Sequence, residues 1–334
     1  MKSGKNYAGK IIIAAVVLVC IGVLAGAAGI AKGNTHSHDP IAKVALSNTE
    51  RAGGSKVYFT SDISSKGILA VYRALGVQAY GKVAIKIHMG EPGNQNYLNP
   101  ELLRDLATTV KGSFADSNTA YGGRRGNTVS HLQAAKDHGF TYAPVDILDA
   151  DGTIKIPVKN GKHLKEALLG SHIMSYDWII SVAHFKGHSM AGFGGTFKNL
   201  AIGIATPEGK RAIHNNPGGA MFSTTGEPFF EKVIEYNMAL MDAKPGRMLY
   251  INILNNLSTD CDCSARAPKA TMADIGIMAS LDPVALEKAS LDQIYARSDN
   301  KDLVERIESR GGIHQVVYAE RMGLGKQTYE LIRL

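Results

Sequence analysis

Trp178-Ile-Ile-Ser-Val-Ala183 runs directly into His184-Phe-Lys-Gly-His-Ser-Met-Ala-Gly-Phe-Gly-Gly-Thr-Phe-Lys-Asn199. The first six residues are apolar except for one serine, which is the pattern of a strand buried on both faces of a parallel sheet. The sixteen that follow hold two histidines four apart, two lysines, four glycines and an asparagine. Ligands of open α/β sheets bind beyond the carboxyl ends of the strands, so this junction predicts a fold and a site together.

Working outward, the same cadence recurs on both sides. Lys56 to Thr60 reads as a short strand, and Ser64 to Leu75 as a helix capped by Ser64 or Ser65. Lys82 to His88 is an alternating strand that enters the polar loop Met89 to Asn96, followed by helical spacing over Leu98 to Lys111. Phe114 opens a strand that stops in Asp116 to Arg125, and the helix His131 to His138 ends at Gly139. Pro144 to Leu148 and Ile154 to Val158 read as a strand and a hairpin arm around Asp151-Gly152, with a short helix over His163 to Leu169.

Beyond Asn199, residues 207–219 read as a loop containing Pro207, Lys210, Arg211 and His214. Pro228 to Met241 is an amphipathic helix. Arg247 to Leu254 is a strand that enters Asn255 to Ser264, and Ala273 to Ala279 is another. Asp282-Pro283 opens a long helix to about Arg297, and the chain from Asp302 reads as helical with a hinge at Gly311-Gly312. Strand, polar loop, helix, repeated, is the signature of an α/β fold with a mainly parallel sheet and helices on both faces.

Ahead of that fold lies one N-terminal transmembrane or signal helix. Met1 to Lys10 carries three lysines and no acid, and Ile11 to Ala31 is 21 residues without a charge. That length spans roughly 31 Å as a helix, about one bilayer core. The positive flank places everything after Lys32 outside the cytoplasm, attached to the cell membrane, or secreted if the segment is cleaved. The expected organisation is an anchor or signal over residues 1–32, a linker over 33–54 and the α/β domain over 55–334.

The net charge of +7 falls to +4 without the lysines of the first segment, and the other basic residues are scattered. No concentrated basic face with interleaved aromatics is present, which excludes nucleic acid as a partner class. Cys20 lies in the apolar segment, while Cys261 and Cys263 stand one residue apart, too close for an unstrained structural disulfide.

Four strand-end loops collect the unusual residues, and in a parallel sheet they converge. Cys261 and Cys263 can offer thiolates to a zinc or iron ion, with His184, His188, His88 and Asp116 as further candidate ligands. The alternative is a pair of semi-buried thiols in a turn. Gly192, Gly194 and Gly195 can supply backbone N–H groups, and Lys198, Asn199 and Arg124 side-chain donors, to an anion or a phosphate-bearing cofactor such as a flavin. The order matches neither a P-loop nor a dinucleotide fingerprint, and no nucleophile elbow or zincin helix occurs.

Several segments taken together resemble a known family. They are Lys86 to Asn94, Asp116 to Tyr121, His131 to Gly139, His184 to His188 with Gly192 to Gly195 and Lys198-Asn199, Asp260 to Cys263, and Asp282 to Leu286. Jointly they resemble the bacterial and archaeal family catalogued as domain of unknown function 362, over roughly Lys56 to Ile294. Its members are often labelled iron–sulfur-centre proteins, and many carry a ferredoxin-like insertion after the segment matching Lys198-Asn199. Here Ala201 to Phe230 holds no cysteine, so the cysteine count excludes a self-contained pair of [4Fe–4S] clusters. The family name supplies no settled reaction; the His, Cys, Asp and Lys clustered in the strand-end loops lead to the expectation of a membrane-tethered metal- or anion-binding α/β protein, acting as a redox accessory alongside a redox partner protein or as a metal-dependent enzyme. The competing expectation is a non-catalytic module that binds a phosphate-bearing cofactor.

Overall fold

The computed structural model describes residues 50–334. The apolar segment at residues 11–31 lies outside them, and no helix among the described residues is long and apolar enough to cross a membrane. The chain begins with β1 (Glu50–Thr60), α1 (Ser65–Ala74), β2 (Val83–Lys86), α2 (Arg104–Val110), β3 (Ser113–Asp116), α3 (Thr128–Asp137) and β4 (Val145–Ile147). It continues through β5 (Thr153–Pro157), β6 (Glu166–Gly170), β7 (Trp178–His184), β8 (Lys186–His188), β9 (Gly192–Gly194), α4 (Thr196–Ile204) and α5 (Pro207–His214). It closes with α6 (Glu227–Ala243), β10 (Met248–Leu254), β11 (Gly276–Ser280), α7 (Pro283–Tyr295), α8 (Lys301–Ser309), α9 (His314–Arg321) and β12 (Tyr329–Arg333).

Eight strands make one sheet in the order β12-β1-β11-β10-β7-β2-β3-β4. All neighbours run parallel except β11, which is antiparallel to both β1 and β10. The central strands β7 and β10 are buried along their whole length, as expected for strands covered on both faces. Alternate residues of β10 divide between the two layers. Leu249, Ile251 and Ile253 join Ile68, Val71 and Leu106 from α1 and α2. Met248, Tyr250 and Leu254 join Phe197, Phe230 and Leu286 from α4, α6 and α7.

The order of strands fixes where a ligand can sit. From β2 the chain builds outward through β3 to β4, then crosses back to lay β7 on the other side of β2. The β2/β7 boundary is therefore the topological switch point, and the loops leaving both strands open a crevice at their carboxyl ends. His88 follows β2 and the glycine-rich stretch follows β7.

Three expectations need correction. Residues 163–169 do not form a helix: β6 occupies 166–170 and pairs antiparallel with β5. Helical propensity loses here because the Glu235 carboxylate on α6 takes the backbone N–H groups of Lys162, His163 and Leu164. The hairpin therefore joins β5 to β6, while β4 joins the main sheet beside β3. Residues 207–214 are α5 rather than loop, because the Thr206 hydroxyl accepts from Gly209 N–H and Pro207 occupies the first turn. The chain also ends in a strand, β12, which pairs parallel with β1. The Asp282 cap is as expected, its carboxylate accepting from Val284 and Ala285 N–H.

After β7, the β8/β9 hairpin folds back over the sheet edge and meets the loop leaving β10. Gly187 N–H donates to Ser258 O at 2.8 Å, and a Cβ at Gly187 would lie 2.6 Å from the Thr259 backbone. Gly187→Ala must therefore push the cysteine-bearing loop away. A loss of about 1–3 kcal/mol in equilibrium denaturation is expected, the usual cost of overpacking. A melt indistinguishable from the parent would mean that this contact does not fix the loop.

Candidate functional site

The carboxyl ends of β2, β3, β7 and β10 open onto a cavity of about 480 Å³. Its base is organised by Lys86, the last residue of β2, which is fully buried. The Lys86 ammonium pairs with Asp116 Oδ1 at 3.1 Å, at the end of β3, and donates to Asn199 Oδ1 at 3.0 Å, in α4. Asn199 Nδ2 donates back to Lys86 O and to Ser181 Oγ on β7, each at 3.0 Å. Asn199 thus clamps the two strands across the switch point while its edge lines the cavity. Burial alone would raise the Asp116 carboxyl, but Lys86 and His131 override it and hold it well below the usual range.

The arginine pair after β3 divides in two. Arg125 turns inward: its Nε donates to Glu91 Oε2 at 2.8 Å, and its guanidinium lies 3.5 Å from Asp116 Oδ2. Arg124 turns outward to Asp137, and only its backbone N–H reaches Glu91. The binding candidate named from the sequence is therefore corrected from Arg124 to Arg125. Glu91 decides the choice by accepting from one side chain and the neighbouring main chain. The same loop is stitched to the cysteine loop through Glu91 N–H to Asp262 O at 3.0 Å and Asn94 Nδ2 to Ser264 O at 2.7 Å.

His184 is occupied on both ring nitrogens. Nδ1 lies 2.9 Å from Asp262 Oδ2 and Nε2 lies 2.6 Å from Asn255 O. Asp262 also accepts from Lys186 Nζ at 2.8 Å, and His184 with Lys186 holds this buried carboxyl far below its ordinary value. With both nitrogens engaged, His184 acts as a support for the cysteine loop, and the ligand role expected from the sequence is withdrawn. Asp116, committed to Lys86 and Arg125, is likewise a structural counter-ion.

His188, Cys261 and Cys263 do come together, with ligand atoms within 4.8 Å of one another. Their protonation pattern is informative. His188 Nδ1 accepts from Met190 and Ala191 N–H at 3.2 and 3.0 Å, which leaves the proton of the neutral ring on Nε2. His88 is locked alike, Nδ1 accepting from Gly90 N–H at 3.1 Å, and burial pushes this histidine well below its ordinary pKa. A metal-bound imidazole needs the opposite arrangement, one nitrogen bare toward the ion and the other donating. Lys198 Nζ, moreover, stands 3.5 Å from Cys261 Sγ, where a cation would meet repulsion. As arranged, the donors fit a thiolate in a cationic setting better than a metal ion.

Cys261 meets three side-chain donors. The Cys263 thiol, the Lys198 ammonium and His188 all lower its pKa well below that of a free thiol, against the effect of burial. The Cys263 backbone N–H also points at Cys261 Sγ, at 3.3 Å. Cys263 is driven the other way, first by donating to Cys261 and then by burial, so one proton is held between the two.

Gly194, Gly195 and Lys198 line the cavity, as expected, but Gly192 packs against Ile307 and Gly312 and does not. Cavity residues not anticipated as ligands include Lys186, Lys210, Tyr121, His214 and Phe222. Lys210 and His214 are four apart on α5, so recognising the helix start at Thr206-Pro207 would have put them on one face. Burial lowers Lys210 to about 7.

No curated protein matches the chain in sequence. Among solved structures it is similar to the lactate racemase apoprotein from Thermoanaerobacterium thermosaccharolyticum, at 17% identity and a TM-score of 0.35, over 61% of this chain and 51% of that one. It is also similar to a Thermotoga maritima protein solved by structural genomics, at 11% identity and a TM-score of 0.37, over 77% of this chain and 58% of that one. The chain thus spans between half and three-fifths of the length of either. The model of the family described as domain of unknown function (DUF362) matches residues 83–292, the stretch that carries every strand-end loop of the cavity, and the chain belongs to that family.

Proposed function

We propose that the cavity binds the anionic group of a small molecule and presents it to the Cys261 thiolate. One observation carries this reading: among the described residues, Lys198 and Lys210 line the cavity with no carboxylate within pairing distance, while Arg125 is paired with Glu91 and Asp116 and Lys186 with Asp262. Two cations without a carboxylate at one cavity wall favour a counter-ion, and a carboxylate or phosphate supplies one. Gly194 and Gly195 line the cavity without side chains, although the first N–H groups of α4 go to Glu287, as Phe197 N–H does at 3.0 Å. The thiolate supplies a nucleophile beside the bound group. We further propose that residues 11–31 anchor the domain outside the cytoplasm. Retention of the full chain in the membrane fraction after an alkaline wash, with the domain open to external protease, is the expected result.

Sulfate, whose charge is constant near neutrality, tests the anion site. It should raise the melting temperature of the full chain, and Lys198→Met should weaken its binding about tenfold or more, the worth of a charge-assisted hydrogen bond. The absence of any stabilisation at high sulfate, beyond that given by an equal ionic strength of chloride, would sink the reading.

Lys210 adds a pH signature. Its ammonium is lost as pH rises through about 7, so sulfate affinity should fall over that window. A bound anion favours the charged form and raises the Lys210 pKa, so binding near pH 7 takes up protons. Calorimetry in buffers of different ionisation heat should record that uptake, and Lys210→Met should abolish it.

The thiolate is open to direct spectroscopy. Thiolate ultraviolet absorbance should be present at neutral pH, lost in Cys261→Ser and kept in Cys263→Ser, whose hydroxyl can still donate. Absorbance that appears only in alkali would remove Cys261 from the chemistry.

A further inference from the structure

Three aromatic rings stand together on the wall of the cavity. Tyr121 and Phe222 lie with ring centroids 5.3 Å apart, and His214 is 5.1 Å from the first and 5.4 Å from the second. All three line the cavity. Two of them are exposed in a way that folding alone does not reward: Phe222 is 44% accessible and Tyr121 37%. Phe222 also has φ 66°, in the left-handed region that a bulky residue rarely enters. Its backbone N–H donates to Asn215 Oδ1 at 3.1 Å, which holds the ring where it is. Such strain tends to collect at ligand clamps.

The ring cluster is coupled to the charged end of the site. The Tyr121 hydroxyl lies 3.1 Å from His214 Nδ1 and 3.3 Å from Nε2; because Nδ1 donates to Lys210 O at 2.7 Å, one helical turn away, Nε2 is the nitrogen left to accept from it. His214 is thereby a neutral, oriented ring, and burial lowers its pKa to about 3. Lys210, whose carbonyl fixes that ring, sends its own side chain into the cavity. Arg125, Lys198 and Cys261 line the same cavity as the Tyr121 ring. A single ligand can therefore touch both ends.

Size points the same way. A cavity of about 480 Å³ falls in the range that takes drug-sized molecules, and an inorganic anion would leave most of it unfilled. The polar end asks for negative charge, and the aromatic end offers π faces at which a flat ring can stack. Resting on the anion-site reading above, we infer that the ligand is a phosphorylated planar heterocycle. Its phosphate is held by Lys198 and Lys210, and its ring lies against Tyr121 and Phe222.

The test uses the full chain with FMN, AMP and ribose 5-phosphate as probes in equilibrium dialysis, with quenching of flavin fluorescence as a second readout of stacking on Tyr121. FMN or AMP should bind at least about tenfold more tightly than ribose 5-phosphate, the order of effect that base–aromatic stacking gives. Tyr121→Leu and Phe222→Leu should remove that advantage while leaving ribose 5-phosphate binding unchanged, and Phe222→Tyr should keep it. Equal binding of all three probes, or nucleotide binding indifferent to both leucine variants, overturns this inference and leaves the anion site standing. Sulfate stabilisation without binding of any sugar phosphate has the same consequence. Failure of sulfate and all three probes together overturns the anion site and this inference with it.

Discussion

A buried ammonium group, Lys86 Nζ, is the interaction on which the site depends. It sits where three elements meet: its own strand β2, β3 through Asp116, and α4 through Asn199. Placing a charge there costs several kcal/mol of desolvation, which only well-placed partners offset. Each partner is therefore obligatory, and each carries a loop of the cavity with it. Removing Asp116 would leave the ammonium with neutral acceptors alone, and the strand ends would lose the charge that aligns them. A Cβ at Gly203 would lie 2.4 Å from Lys86 Nζ, so α4 can pass this close only because residue 203 has no side chain.

A second buried set repeats the logic one layer out. Asp262 gathers His184 from β7 and Lys186 from β8, so the turn bearing Cys261 and Cys263 is held against the strand that opens the site. The two charge clusters account for the polar residues buried at this sheet edge. They also explain the sign of the cavity. Acids are used up in pairing, whereas Lys198 and Lys210 have no carboxylate within pairing distance among the described residues, Lys198 meeting Cys261 and Lys210 a main-chain carbonyl.

The fold was legible because it is periodic. β7 and β10 are runs of apolar residues, and the Asp282-Pro283 helix start is a local signal with a local partner. What escaped the sequence was settled by residues far away in the chain. Arg124 and Arg125 are equivalent locally, and Glu91, more than thirty residues earlier, selects between them. His184 and His188 are equally plausible ligands until Asp262, 78 residues after the first, takes one of them. Residues 163–169 carry helical spacing, but Glu235 on a distant helix captures the backbone donors that a helix would need. Phe222 follows Pro217-Gly218-Gly219, and no pattern there signals an exposed ring at a cavity wall.

In the proposed function the thiolate and the anion share one cation, Lys198, which would link binding to reactivity. Lys198 is half-buried, and Cys261 leads the groups that raise its pKa against the effect of burial, so the two charges stabilise each other. An anion that draws the ammonium toward itself weakens its hold on Sγ. The thiolate then becomes the stronger base, and the stronger nucleophile, since thiolate reactivity rises with pKa at a Brønsted coefficient of about 0.4–0.5. His188, fixed by two main-chain donors, keeps Nε2–H directed outward from those donors and does not compete for the proton. On the proposed reading, an anion bound at Lys198 therefore raises the basicity and the intrinsic nucleophilicity of the Cys261 thiolate together.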